Sequence, residues 1–510
     1  MHFIQGSNRS QTQLFPLSLE EAIAEDNEVR IIDLFVASLD LKKFDFTIKQ
    51  TSEGRPAYHP TDLLKLFIYG YLNRIRSSRA LEKECRRNIE LMWLLKKLVP
   101  DHNTISNFRK DNSKAIKQVF RHTVSLAKNF DLIGGILVAG DSTKLRAENS
   151  KKNNYNPKKI ERHLAYIEEK LEAYTTALSE ADQDNQAIIL AEIKKHQSRK
   201  AGYQALQKQL SESGEVQIST SDPDSRQLIT RNNITEVAYN VQTTVDAKHC
   251  ILLDYQVTNQ NDSKAMGDML VRATEILGTG SFTALYDKGY HTGSELKAAK
   301  ELGIHLMVAI PAVASHAPDV RYNVSNFIYN TLKDTFTCPQ NQVLVTNGNW
   351  YVKHREKYPT RAKHYKTHAC STCPAQAACT RNPNGRLIER SEYAPYVEWN
   401  KENIEAHPLI YKRRQAIVEH PYGTIKRQWG FYHILTKKGM KRASADAGLI
   451  FIAYNLRRII NIMGKSALKT YLEELSLLTA LKKLNVCLFS LHISPHRKPA
   501  KEIPVFSIAA

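Results

Sequence analysis

Apolar residues recur at two different spacings along this 510-residue chain, and the switch between them marks its organisation. In the first 130 residues the spacing is helical. Pro60 opens Thr61–Leu72, where Leu63, Phe67 and Tyr71 return every fourth position. Ser77 begins a second helix and Ile89–Leu98 forms a third. After a turn at Val99–Asn103, the run Thr104–Lys110 reads as a short helix capped by Asn103 or Thr104.

Beyond residue 130 short apolar runs and strict alternation take over. Gly134–Gly140 is apolar between glycines, which suits a buried strand ending at Asp141. Val237–Asp246 and Cys250–Thr258 alternate with period two and are joined by Ala247–His249, which predicts a β-hairpin. A helix over 263–277 leads to a strand ending at Asp287, and a helix over 292–302 leads to the strand His305–Pro311. Strand, two-stranded hairpin, helix, strand, helix, strand is the order of an α/β, RNase H-like mixed sheet, although other α/β folds share it.

Three stretches interrupt or follow that order. Ile160, Leu164, Ile167, Leu171, Tyr174 and Leu178 alternate four and three apart, a heptad seam. After a polar break at Glu180–Gln186, a second helical stretch carries Ile189, Ile193, Tyr203, Leu206 and Leu210. This predicts an antiparallel helical hairpin serving as a gripping arm, a dimer contact or a passive insertion. Residues 312–399 lose long apolar runs; 402–428 read as a helix interrupted near His420–Pro421, and 444–462 as a packed helix. The expected domains are an N-terminal helical domain (1–130), a core built from 131–150, 216–311 and 400–465, the hairpin insertion (151–215), a cysteine-containing insertion (312–399) and a basic, loosely ordered tail (466–510) holding Ser494–Lys501.

Charge adds a partner. Lys and Arg number 72 against 52 Asp and Glu, a formal charge of +20, which predicts a polyanionic partner bound in a salt-sensitive way. Against such a partner the helix, tight turn and polar second helix match a DNA-binding helix-turn-helix, with Ser106, Asn107, Arg109 and Lys110 as DNA-facing candidates. The plainer alternative is a bundle with solvated charges. No apolar run is long enough to span a bilayer and Met1–Gly6 lacks a secretion signal, so a cytoplasmic protein without a membrane partner is expected. Seven cysteines fit a reduced compartment. Cys370 and Cys373, spaced Cys-x2-Cys, with Cys338 and Cys379 can supply four thiolates to a structural Zn²⁺, against the alternative of idle thiols.

The richest chemistry lies in Tyr411–Gly430. Glu419 follows Arg413 and Arg414 by six and five residues and precedes Lys426 by seven. Asp141 and Asp287, each after an apolar strand, are its upstream counterparts. One such carboxylate alone is more often a cap or a solvated charge; the shared setting is what distinguishes these three. Mg²⁺ or Mn²⁺ takes oxygen ligands, and two ions roughly 3.5–4 Å apart serve in-line phosphodiester displacement. Asp141 would lie between the ions, with Asp287 and Glu419 completing either side. Water would then cut a strand, and the freed 3′-hydroxyl would join it elsewhere. Arg413, Arg414 and Lys426 are phosphate-contact candidates. Trp429 is either a base-stacking residue or a core aromatic.

Gly140-Asp141-Ser-Thr, Ala238–Asp246, Asp287-Lys-Gly-Tyr290, the cysteine cluster and Val418-Glu419-His-Pro-Tyr-Gly-Thr-Ile-Lys426 together resemble the DDE transposases of bacterial insertion sequences, in the IS1182 branch of the IS4/IS5-like group. The register departs from the IS4 signature: Tyr411 stands eight before Glu419, and Gln415 occupies the arginine position. The resemblance implies catalytic Asp141, Asp287 and Glu419 and DNA partners, namely terminal inverted repeats and a target duplex. It further implies a homodimeric synaptic complex and a nucleoid-associated location. The alternatives are an RNase H-like nuclease without strand transfer and a catalytically dead DNA-binding protein.

Overall fold

The computed structural model describes residues 18–47, 56–230, 234–312, 316–353, 359–436 and 438–483; the reading of Ser494–Lys501 lies outside the described residues. Among the described residues six α-helices come first: α1 (Glu28–Ala37), α2 (Pro60–Leu72), α3 (Ser78–Arg87), α4 (Ile89–Leu94), α5 (His102–Asp111) and α6 (Ser113–Asn129). The third expected helix ends at Leu94 rather than Leu98, because Lys96 and Lys97 adopt φ of 52° and 64°, which terminates a right-handed helix. The helix expected from Thr104 starts at His102. Its cap is Asp101, whose carboxylate accepts from the amides of Asn103 and Thr104 at 2.9 and 3.1 Å.

The sheet begins with β1 (Leu137–Arg146), which runs through Asp141 instead of ending there. A clasp of β2 (Asn154–Tyr155) and β3 (Ile218–Ser219) closes the foot of the helical hairpin, α7 (Pro157–Glu180) and α8 (Gln183–Ser213). The hairpin is antiparallel, as His163 stacks on Tyr203 and Lys200 pairs with Glu168. Ile167 on its seam is fully buried and the other seam residues are half-buried, while Ile160, Leu210 and Ile218 form a small core of their own near the foot.

Next come β4 (Arg226–Ile229), β5 (Thr235–Asp246), β6 (Leu252–Thr258), α9 (Met266–Leu277), β7 (Thr283–Tyr286), α10 (Gly293–Glu301) and β8 (His305–Val308). They form one mixed sheet in the order β5-β1-β7-β8, antiparallel at β5/β1 and parallel beyond, with β6 and β4 following each other along the far edge of β5. Strand alternation divides its two faces. Thr243 and Tyr255 point to one side, where Tyr255 meets Phe120 of α6 and Phe451. Asn240 and Gln242 point to the other, where Gln242 accepts from Tyr290 and both donate to Asp262.

The segment after β8 contains two small sheets, β9 (Ile328–Asn330), β10 (Thr335–Thr337) and β11 (Val343–Val345), then β12 (Trp350–Lys353), β13 (Thr360–Tyr365) and β14 (Ile388–Ser391), with the single turn α11 (Gln376–Cys379). Among the described residues Phe327, Phe336, Leu344, Tyr365 and Ile388 form its main buried cluster. The chain then returns through α12 (Ala394–Ala406), α13 (Pro408–Tyr422), a π-turn at Gly423–Gln428, α14 (Met440–Met463) and α15 (Lys465–Lys483). The helix expected from 402 breaks at His407–Pro408, not at Pro421. Pro408 suits a first helical turn, and the helix passes Pro421 before widening into the π-turn. Residues 465–483, expected to be loosely ordered, form a helix with Leu468 and Leu472 fully buried.

The N-terminal helices share one continuous apolar core with the sheet and α14. At its centre lies Asp446, fully buried on α14. It pairs with Arg76 at 2.7 Å and Arg109 at 3.5 Å, accepts from the Tyr71 hydroxyl, and accepts from the Leu435 amide at 2.8 Å. Burial works against its charge, but the two guanidiniums and the Tyr71 hydrogen bond hold the carboxyl below its ordinary range.

Candidate active site

Asp141 sits where the sheet opens. On one side β5 pairs past it, with Thr243 as its partner. On the other, parallel pairing to β7 stops two residues earlier, at Ala139 and Leu285. The residue after β7 is Asp287, whose Oδ1 accepts from the Gly289 amide at 2.8 Å and caps a single helical turn. The crevice beyond the carboxyl ends of parallel strands is where α/β sheets expose ligand groups. Gly140 is required by packing: a β-carbon there would fall 2.0 Å from the Tyr286 ring, which lies against the backbone of β1.

Helix α13 crosses this opening. Tyr411 donates to the Tyr286 carbonyl at 3.0 Å, and Tyr422 donates to the Asp141 carbonyl at 3.1 Å. Arg414 Nη1 lies 3.4 Å from Asp141 Oδ2. Residues 411, 414, 418 and 422 form the helical stripe facing the sheet. Glu419, next to buried Val418, stands at its margin, exposed, with Oε1 accepting from Gln415 at 2.9 Å.

Burial pushes the Asp141 carboxyl up to about 6; Arg414 opposes the shift, and the charges of Asp287 and Asp262 add to it. Asp262 had no place in the sequence reading. It opens a short turn, near enough for its charge to act on Asp141, accepting from Asn240 and Gln242 at 2.7 Å each and pairing with Lys144 at 3.2 Å. Burial opposes its ionisation, yet Lys144 and these hydrogen bonds keep it below the ordinary carboxylate range. A point beside Gly289 lies 3.0 Å from Asp287 Oδ1 and 3.6 Å from Asp262 Oδ2. The one available signal was its position in the polar run Asn259–Ser263 immediately after a strand.

The donors suit a hard cation in type, and the charge of Asp287 acts on Asp141. Among the described residues, however, no three His, Cys, Asp or Glu side chains are drawn together as a metal-holding group. Glu419 is the one of the three carboxylates that stands apart.

Comparison with known proteins decides the class. Residues 17–111 match a transposase domain family (DUF772), and residues 337–460 match the transposase DDE domain. The chain is a DDE transposase. No curated protein matches it. Among solved structures, a piggyBac transposase synaptic complex with hairpin DNA aligns over 91% of this chain and 83% of that one, at 8% identity and a TM-score of 0.28. That likeness is too loose to define even the fold. The DDE match covers Glu419, whereas Asp141 and Asp287 lie outside both matched segments.

Elsewhere in the transposase, two expected DNA contacts are corrected. Arg109 is buried against Asp446, Tyr71 and the Arg76 carbonyl, so it ties α5 to the core and cannot face DNA. Trp429 is buried edge-on against Phe431 and takes the core role. Ser106 and Lys110 are partly exposed and Asn107 exposed, with Lys110 bonded to Asn107 at 2.9 Å. Arg413 is exposed; Lys426 donates to the Lys144 carbonyl at 3.0 Å, linking the π-turn to β1. Cys338, Cys370, Cys373 and Cys379 are free thiols around one cavity of about 30 Å³. Burial, reinforced by the other three sulfurs, raises the Cys379 thiol above its ordinary range.

Proposed function

We propose that this transposase is of the IS1182 type and cuts and joins DNA at a single site formed by Asp141, Asp287 and Glu419 on an RNase H-like sheet. The carrying observation is the placement of Asp141 and Asp287 where β1 and β7 part, under the helix that bears Glu419. The strand order, a three-stranded antiparallel meander followed by two parallel strands, supports the fold reading. Divalent ions, Mg²⁺ or Mn²⁺, when bound would supply charge neutralisation and polarisation of the phosphate. Asp141 and Asp287 would hold them, with Glu419 on α13 as the third candidate ligand. Arg414 would exchange Asp141 for a phosphate oxygen, and Tyr422 would keep the β1 backbone fixed beneath the scissile strand.

The substrates on this reading are the terminal inverted repeats and a target duplex, held by two copies of the chain. Ser106, Asn107, Lys110 and Arg413 are the remaining DNA-contact candidates. The four cysteines would close on one structural Zn²⁺, because a main apolar cluster of five residues is small for six strands and a cation would relieve repulsion between thiolates. Purified protein should carry one zinc per chain by mass spectrometry, lost in Cys370→Ser with Cys373→Ser; zinc-free folded protein would refute that assignment.

A strand-joining assay tests the function itself. A pre-cut element end, supplied with Mg²⁺ and a supercoiled plasmid, should become covalently joined to the plasmid. Cleavage without joining would instead identify a nuclease, and end binding without either reaction a catalytically dead protein.

A further inference from the structure

An open groove of about 1140 Å³ begins at the rim of the carboxylates. On one side it is bounded by Asn261, Ser263 and Lys264, which flank Asp262, and by Thr292–Ser294, which open α10 five residues after Asp287. Its far wall belongs to the cysteine-containing insertion. That volume exceeds the range of most small-molecule sites, so its shape suits a length of polymer.

The far wall follows from strand register. Tyr351 pairs with Ala362 and Lys353 with Thr360, while Ala362 pairs with Ser391 and His364 with Glu389. All of these residues therefore share one face of the β12–β14 sheet. Lys353, Thr360, Ala362 and Ser391 line the groove. Tyr351 and His364 extend the same wall as a stacked pair, 4.3 Å apart and 8° from parallel, with Tyr351 38% exposed.

Charges of both signs line the groove, and a phosphate there would have to compete with the carboxylates for its cations. Arg226, Lys264 and Lys353 line the groove against Glu215 and Glu398. Glu215 is matched by Arg226 and Glu398 by Arg390, while Lys353 pairs with Glu389. The start of α10 has no side-chain cap and presents its positive end to the groove. Cations and an open helix end near the carboxylates, followed by an exposed aromatic stack, form the order that an unpaired nucleic-acid strand requires: phosphates first, then a base. A paired duplex offers no free base face to Tyr351.

We propose that this groove holds an unpaired DNA strand leaving the catalytic carboxylates, with Lys264, Lys353 and the α10 N-terminus toward its phosphates and Tyr351, backed by His364, stacking on a base. This rests on the DNA-processing reading above. It assigns the insertion a substrate-holding role separate from any metal.

The test compares a blunt duplex of mixed sequence with the same duplex bearing a single-stranded thymidine extension, by fluorescence anisotropy with full-length protein. The extension should tighten binding of the unaltered protein about fivefold. Tyr351→Ala should abolish that gain without changing blunt-duplex affinity, and Tyr351→Phe, which keeps the ring, should retain it. An extension that adds nothing, or a gain that survives Tyr351→Ala, overturns the proposal while leaving the DNA reading intact. Failure of the unaltered protein to bind either probe overturns both.

Discussion

Gly140 and Asp141 carry the site through different physics. Gly140 is there because the Tyr286 ring occupies the place of a side chain. Gly140→Ala must displace a fully buried ring beside two catalytic candidates, at a cost of about 1–3 kcal/mol. Chemical denaturation should show that loss, together with weakened DNA cleavage; an unchanged midpoint would mean that Tyr286 yields freely. Asp446 makes the complementary case for a buried ion cluster. Asp446→Ala strands Arg76 and Arg109 without a counter-charge, which should cost about 3–5 kcal/mol and be measurable by urea unfolding. Because the folded carboxyl is held below its ordinary value, its stabilisation is present above the unfolded pKa of about 4 and is lost as pH falls below that. Acid unfolding should therefore begin at a higher pH when Arg76→Met weakens the cluster, and an unchanged acid midpoint would contradict this.

At the scale of elements, strands were legible and partners were not. The alternation in Val237–Asp246 and Cys250–Thr258 located β5 and β6 closely, since polar and apolar side chains take opposite faces of a strand even where, as in β5 from Val237 to Asp246, both faces are buried. The apolar run before Asp141 marked a strand but not its length, because β1 continues on the strength of its pairing to β5. The amphipathic pattern around Arg109 could not reveal that its charge points inward. The hint was distant: Asp446 is a lone acid within the apolar run Ala443–Ala453, and such a residue demands buried cations. Glu419 was prominent in sequence, but its place at the helix margin depends on which stripe α13 lays on the sheet. The hairpin α7–α8 has its own small core. Replacing residues 160–210 with a short flexible linker should therefore shift the melting temperature by only a few degrees, and loss of cooperative unfolding would show that the hairpin supports the sheet.

For the whole molecule, a formal charge of +20 is a statement about affinity. Duplex binding should weaken steeply and log-linearly with added salt, about 10³-fold or more between 50 and 200 mM if six or more phosphates are neutralised. A flat salt response would contradict a phosphate-based interface. No described helix is long and apolar enough to cross a membrane. The single core joining the N-terminal helices to the sheet means that the DUF772-matched segment and the sheet bearing Asp141 and Asp287 are held in one arrangement, with Asp446 as the joint. DNA gripped by the first would reach the second without a flexible linker between them.

The most direct test of the account is Mg²⁺-dependent cleavage of DNA carrying the element's own terminus, comparing the unaltered protein with Asp141→Asn and Glu419→Gln. Both changes keep size and remove charge. The account predicts cleavage by the unaltered protein and at least a hundredfold loss, on the order of a missing catalytic group, in each variant with DNA binding retained. Undiminished cleavage by Glu419→Gln would place the third carboxylate elsewhere, with Asp262 the nearest candidate, and undiminished cleavage by Asp141→Asn would contradict the site altogether.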